Sequence, residues 1–370
     1  MSDAFTEATS RRAVLARLTG LTGGVFALPT VASVASSLLA SCGGRDGDDA
    51  LVVYTSLDEV VAREELALFA GTTGSNCGVA ARYDTEAMKT TGLANLLRAE
   101  RDAPRADVFW SSEQFQMSAL ASEGVLARLP DALLTHWPKP WQDTDGRWIA
   151  LNARARVLCF DSRKVDALAA PRLWSAFAAV EYPAGIAIAD PRFGSTRGHF
   201  AAMRQVYEHA EPGLFARMLA GLKRSHTRLL PGGNAAVVDA VLRGEVQFGF
   251  TDTDDVIAAM QAGKPLGFTL PRHFNEGIAG GGTMLIPSTL GIIEGTTRRA
   301  CAEQCVEFLS SPVAEVRSAQ SSLYTLPLGY GVRYGPAWRE DDPLRFDLSA
   351  AVANADAAAA EVHDALAGHA

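Results

Sequence analysis

From Leu51 onward the chain alternates short apolar runs with amphipathic stretches, and each apolar run ends in polar residues. That alternation is the pattern of an α/β domain with a mainly parallel sheet, because parallel strands need helical crossovers between them. Leu51-Val52-Val53-Tyr54 reads as a strand, Thr55 to Asp58 as its exit loop, and Glu59 to Phe69 carries apolar residues at helical spacing. A second unit follows, with Ala106-Asp107-Val108-Phe109-Trp110 as strand, Ser111-Ser112-Glu113 as exit and a helix opening at Phe115. Further strands are expected at Arg156–Phe160, Gly185–Ala189 and Val246–Phe250; the last two lead into helices from His199 and over Val256–Ala262. With 370 residues the chain is comfortable for two lobes, taking roughly 100–200 residues for each.

The first 42 residues read as an address rather than as fold. Arg11-Arg12 precede an uncharged, Gly- and Ala-bearing apolar run from Leu18 to Leu39, which ends in Leu39-Ala40-Ser41-Cys42. This is a three-part export signal. Its arginine pair resembles a twin-arginine signal, and its end resembles the lipobox after which the new N-terminal cysteine, Cys42, is acylated. A membrane-spanning helix is the alternative, but Pro29 interrupts the run and Gly and Ser dilute it. Residues 43–50 follow as a Gly/Asp-rich flexible tether. Removal of residues 1–41 takes away three arginines and two carboxylates, leaving 31 basic against 40 acidic residues and a net charge of −9. No dense basic run occurs, so the electrostatic footprint of a nucleic-acid binder is missing.

In open α/β sheets ligands settle beyond the carboxyl ends of the strands, and here those ends carry carboxylates, hydroxyls and glycines. The densest is Thr251-Asp252-Thr253-Asp254-Asp255, whose three carboxylates repel one another unless a cation or hydrogen-bond donors sit among them. Two readings coexist: Asp254 or Asp255 caps the following helix, or the run touches a ligand. It is not an EF-hand, since the required glycine and the closing glutamate are absent. Asp58 and Glu113, also at strand exits, are caps, surface charges or ligands, and Trp110 is either core or a ring face offered to a cation. Ser195 and Thr196, at a helix entrance, either offer hydroxyls and N–H groups to an anion or form a structural turn; Asn234 in Pro231-Gly232-Gly233-Asn234 is placed alike. Arg154 supplies a planar fork for a carboxylate, carbonate or phosphate. Thr55, Ser56, Ser112 and Thr253 neighbour these residues as possible further contacts.

Enzyme signatures are mostly missing: there is no H-E-x-x-H, no G-x-S-x-G elbow, and the seven histidines lack metal-ligand spacing. Cys77, Cys159, Cys301 and Cys305 match neither a paired C-x-x-C zinc site nor a dense disulfide framework. Cys301 and Cys305 lie one helical turn apart, where a bond between them would be strained, and are expected as core or free thiols.

Taken together, Val53-Tyr54-Thr55-Ser56-Leu57-Asp58-Glu59, Tyr83-Asp84-Thr85-Glu86, Ala106 to Trp110, Asn152 to Phe160, Ala189-Asp190-Pro191, Asn234, Gly244-Glu245 and the aspartate run resemble the extracellular (periplasmic) solute-binding proteins of ABC importers. The nearest branch is the ferric-ion-binding proteins, and the resemblance spans about residues 51–350. It implies a two-lobed periplasmic-binding-protein fold of type II. Each lobe is then a mainly parallel sheet flanked by helices, and crossover strands join the lobes around a ligand cleft. The N-lobe would take residues 51–153 plus about 279–330, and the C-lobe 154–278 plus about 331–370. In that family a His, a Glu and two adjacent Tyr hold iron, while an Arg, hydroxyls and an Asn bind a synergistic anion. Carried over, Glu113 matches the Glu, Arg154 the Arg and Asn234 the Asn, while Ser195 and Thr196 match the anion loop approximately. Asp58 stands where the His would be, and Asp254 and Asp255 stand where the tyrosines would be.

The implied protein is not an enzyme. It is a monomeric lipoprotein, anchored at the periplasmic or cell-surface face of the membrane, that captures a cation and delivers it to an ABC permease and its ATPase. No cofactor is implied beyond a bound metal ion as ligand. A carboxylate-rich set suits Fe³⁺ or another hard cation. A polyamine-like cation packed on Trp110, a phosphonate or sugar phosphate held by Arg154, Ser195, Thr196 and Asn234, and an exported metal-dependent hydrolase are the alternatives.

Overall fold

The computed structural model describes residues 50–72, 77–84, 90–330, 332 and 335–367. The export signal, Cys42 and all but the last residue of the tether lie outside them. Among the described residues, no helix is long and apolar enough to cross a membrane. Eleven strands run through them: β1 (Leu51–Thr55), β2 (Val79–Tyr83), β3 (Val108–Ser111), β4 (Leu126–Ala127), β5 (Trp148–Asp161), β6 (Ile186–Ala189), β7 (Arg228–Leu230), β8 (Phe248–Asp252), β9 (Leu266–Thr269), β10 (Leu285–Ile293) and β11 (Leu326–Pro327).

The strands line up as β2-β1-β3-β10-β5-β8-β6-β7, with β4 on β10 and with β9 and β11 on β5. β1 pairs in parallel with β2 and β3, and β6 with β7 and β8, as the sequence predicts for strands separated by helices. At the join the pairing changes: β10 runs antiparallel to β3 and β5, and β5 antiparallel to β8 and β9. Where the sequence predicts a strand only from Arg156, the chain is one extended strand from Trp148, its first part on β10 and its second on β8 and β9. Asn152, Arg154 and Arg156 interrupt its apolar run at alternate positions, and the two-residue period puts all three on one face.

Helices cover the sheets. Around β6 and β8, Trp174, Phe177, Phe248 and Phe250 pack with Phe200 and Met203 of the helix Gly194–Ala210 and with Met218 and Leu222 of the helix Leu214–Arg224. The C-terminal helix Ala355–Leu366 adds Ala358 and Val362 to the same core. His199, expected to open its helix, lies inside it and is buried in this core; the helix begins at Gly194, whose φ of 55° lets the chain turn there. Around β1 and β10, Val53, Val108 and Leu290 pack with Phe69 of the helix Glu59–Thr72 and Val306 of the helix Arg299–Leu309. Each such large side chain contributes about 1.5–3 kcal/mol by leaving water.

The cysteine expectation needs one correction. Cys301 is bonded to Cys77, 224 residues away, with a Cα–Cα distance of 5.9 Å, while Cys159 and Cys305 are buried free thiols. The pairing joins segments that no local spacing connects. Burial pushes both free thiols up to about 12, which makes them inert packing groups.

Candidate functional site

The aspartate run straddles an element boundary. Thr251 and Asp252 finish β8, and Thr253, Asp254 and Asp255 open the helix Thr253–Gln261, because the strand stops where Asp252 turns extended backbone into the first helical turn. Carboxylate oxygens of Asp252, Asp254 and Asp255 all lie within 4.8 Å of one another. Two basic side chains of β5 answer this negative charge. Arg156, directly opposite Asp252 in the β5–β8 register, donates Nη1–H to Asp252 Oδ1 at 2.7 Å, both side chains being 0% exposed. Arg154, two residues earlier, donates Nη1–H to Asp254 Oδ2 at 3.1 Å and Nη2–H to the Ser112 carbonyl at 2.9 Å. Burial alone would lower the Arg154 pKa, but Asp254, Asp252 and Asp255 outweigh it and hold the guanidinium charged.

Two adjoining cavities meet at this bridge. The first, about 150 Å³, is lined by Ser56, Asp58, Asn152 and Ser288 among others; the second, about 90 Å³, by Ser195, Thr196, Asn234 and Asp252 among others. Ser112, Arg154, Asp254 and Asp255 line both. Ser195 and Thr196 stand in the first turn of the helix Gly194–Ala210, and Asn234 in that of Gly233–Leu242, so N–H ends of two helices border the second cavity. Asn234 donates to Asp252 Oδ2 at 2.8 Å and to Ser195 Oγ at 3.2 Å, which ties the wall of that cavity to the buried ion pair.

The structure thus brings Asp254, Asp255, Arg154, Ser195, Thr196, Asn234, Ser112 and, at the rim, Ser56 and Asp58 to the cavities. Asp58 is exposed, and its Oδ1 accepts the Val60 N–H at 3.0 Å, so it caps its own helix from the cavity edge. Ser56 and Ser112 hold each other, with the Ser112 N–H donating to Ser56 Oγ at 2.9 Å.

Four expected residues are placed elsewhere. The buried Glu113 carboxylate accepts the N–H groups of Phe115 and, at 3.0 Å, Gln116; it caps the helix Phe115–Ser122 and lines neither cavity. Its own helix start offers donors closer than any ligand could be, and burial raises its pKa despite them. Trp110 packs into the core beside β1 and so presents no ring to a cation. Thr55 turns its Oγ1 to the Leu57 N–H at 3.2 Å, and Thr253 Oγ1 accepts the Ala155 N–H at 3.1 Å, so both hydroxyls serve the backbone. Sequence reasoning in turn missed Arg156, Asn152 and Ser288, and it named Asp252 within the aspartate run without singling it out. The alternation of Asn152, Arg154 and Arg156 was the available signal for two of them; Ser288 reaches the cavity only through the β10–β5 register, which pairs it with Asn152.

Comparison with known proteins bears on the family and the fold. Residues 75–344 match the bacterial extracellular solute-binding protein family. Over 227 residues the chain is 26% identical to the Fe(3+)-binding periplasmic protein of Serratia marcescens, a match covering 61% of this chain and 64% of that protein, just under two thirds of its length. Iron-bound HitA from Pseudomonas aeruginosa superposes with a TM-score of 0.73 at 20% identity, covering 85% of this chain and 99% of its own. The periplasmic binding protein AfuA from Actinobacillus pleuropneumoniae, with fructose-6-phosphate bound, gives 0.69 at 15% identity, covering 86% and 98%. The fold is that of the type II periplasmic binding proteins.

Proposed function

The chain belongs to the bacterial extracellular solute-binding proteins, and on that premise we propose that it captures a positively charged solute, ferric iron or another hard cation accompanied by an anion, for an ABC importer. The observation that carries this reading is the cluster of Asp252, Asp254 and Asp255 beside Arg154, in the wall common to both cavities. Carboxylate oxygen is the donor a hard cation takes. In this reading Asp254 and Asp255 face the cation with Asp58 at the rim, while Arg154, Ser195, Thr196 and Asn234 face the anion.

The two halves act as lobes, residues 51–153 with about 279–330 and 154–278 with about 331–370, hinged where β5 and β10 pass between them. Cargo that touches both lobes favours the closed form by its differential affinity for it, and the closed form docks on the permease. The Cys77–Cys301 disulfide supports an oxidising, exported setting. Arg11-Arg12 and Cys42 are assigned as export and lipid-anchor signals in the same reading.

Metal analysis and native mass spectrometry of freshly isolated protein test it, followed by titration with ferric citrate. The expected result is bound iron or another cation, lost in an Asp254→Ala/Asp255→Ala variant. Undiminished cation binding by that variant removes the reading.

A further inference from the structure

Part of the wall of the first cavity is Ser322, Leu323 and Thr325, on the segment that leaves the helix Pro312–Gln320 and runs into β11. β11 lies on β5 at Ala153 and Asn152, and Asn152 lines the same cavity. The ties of this segment are few. β11 is two residues long, and Pro327, one of the two, brings no N–H. The hydroxyls of Thr325 and Ser318 lie 3.0 Å apart, Trp338 Nε1–H reaches the Tyr324 carbonyl at 3.1 Å, and the Leu328 N–H reaches the Leu151 carbonyl at 3.1 Å.

Glu315 supplies the rest. From the helix Pro312–Gln320 its Oε1 accepts the Leu328 N–H at 2.8 Å and the Gly329 N–H at 2.7 Å. The side chain is 1% exposed, and its buried Oε2 has no hydrogen-bond partner. Space there is tight: a methyl group on Gly329 would stand 2.2 Å from Oε2 and 3.1 Å from the Trp137 ring, so the chain passes this point only as glycine. A neutral acid leaves one O–H unpaired in such a place, whereas a carboxylate leaves a buried charge answered on one oxygen alone, which costs more. Burial accordingly raises the carboxyl to about 7 against the pull of the two N–H groups, and no charged side chain contributes. The charges on the surrounding elements are engaged elsewhere: Arg317 of the same helix pairs with Glu65, Glu303 of the helix Arg299–Leu309 with Arg299, and Arg154 of β5 with Asp254. Glu307 of Arg299–Leu309, His136 and Lys139 on either side of Trp137, and Tyr330 beyond Gly329 are exposed, and Tyr324 of the segment is half-buried.

Resting on the reading that cargo sits in this cleft, we propose that Glu315 is a proton-operated clasp on the wall of that site. Protonated, it holds Leu328 and Gly329, keeps β11 on β5 and fixes the wall that carries Ser322, Leu323 and Thr325. Deprotonated, it reaches water only by letting Leu328 and Gly329 go, and the wall loosens. Once released to water the carboxyl titrates near its ordinary 4.5, against about 7 when clasped. The released form therefore gains about tenfold per pH unit between those two values and levels off above the upper one. Acid fastens the wall and neutral solution frees it.

Hydrogen exchange at the Leu328 and Gly329 amides tests this, on the full chain stripped of co-purified solute by unfolding and refolding, at pH 5.0 and 7.0 and corrected for the intrinsic pH dependence of exchange. Protection is expected to be on the order of 100-fold lower at pH 7.0 than at pH 5.0, a loss that the core amides of β10 do not share. Glu315→Gln, neutral at both values, is expected to keep its protection. Melting curves confirm that the variant folds; if it does not, the native profile decides, because equal protection at the two pH values overturns the inference. The same loss in a folded Gln variant overturns it as well. Titration with ferric citrate keeps the two readings apart: pH-dependent amides on a chain that binds no ferric citrate leave the clasp standing and count against cation capture, and ferric citrate binding with pH-indifferent amides removes the clasp alone.

Discussion

Two buried histidines make acid sensitivity calculable. His199 and His273 pack with ring centroids 5.3 Å apart, with Trp174 4.8 Å from His199 and Tyr207 5.7 Å from His273. Burial lowers both, with the Arg156 charge pushing His199 further down, and His273 falls to about 3. An unfolded histidine titrates near 6.5. Between those two values the unfolded chain binds the extra proton, so stability is fully present above pH 6.5 and is lost as the pH falls towards 3. At about 1.4 kcal/mol per pH unit, His273 alone removes about 3 kcal/mol between pH 7.5 and 4.5. Glu315 acts with the opposite sign: burial raises its carboxyl to about 7, so its contribution is present below about 4.5 and is lost as the pH rises through 7. That loss is also about 3 kcal/mol, and the two nearly cancel in the native chain. Guanidinium unfolding at pH 7.5 and 4.5 separates them. Relative to the native chain, His273→Gln is expected to gain about 3 kcal/mol on going to pH 4.5, and Glu315→Gln to lose a similar amount. If His273→Gln tracks the native chain at both pH values, the reasoning from burial is wrong.

Cys77→Ser with Cys301→Ser opens a link spanning 224 residues and is expected to cost about 2–4 kcal/mol, read as a lower melting temperature that reductant reproduces in the native chain. Alkylation of the denatured, unreduced protein should then label Cys159 and Cys305 but neither partner of the disulfide. Gly221→Ala places a methyl group on the Phe177 carbonyl oxygen, a backbone atom that cannot swing aside. A loss of about 3 kcal/mol in denaturant unfolding is expected, and a neutral result would mean that Gly221 does not pack this closely on the Phe177 backbone.

What the sequence discloses is what is local. β1, β6 and β8 are legible because each is an apolar run ended by polar residues; the helix expected from Val256 begins three residues earlier, at Thr253, with Asp254 and Asp255 in its first turn. Arg154 is legible as a lone fork among small residues. Glu113 sits at the same kind of strand exit as Asp254, yet it turns back on its own helix, a choice made by hydrogen-bond geometry rather than residue type. Trp110 lies on a strand buried on both faces, with Phe109 in one core and Trp110 in another, and composition does not say that neither ring reaches the cavity. The Arg156–Asp252 pair and the Cys77–Cys301 bond depend on strand register and on segments far apart in the chain, which only the assembled fold brings together.

β5 belongs to both sheets, and it carries Arg154 and Arg156 two residues apart. In the proposed reading, the residues that meet cargo charge therefore lie on the strand that joins the two lobes. On that reading, altering either arginine to retarget the protein would disturb the joining strand as well as the cleft. Ser195, Asn234 and Asp254 sit instead at helix starts, off the shared strand. On the same reading, a biosensor made from this scaffold would take its new selectivity at those three positions and leave β5 unaltered.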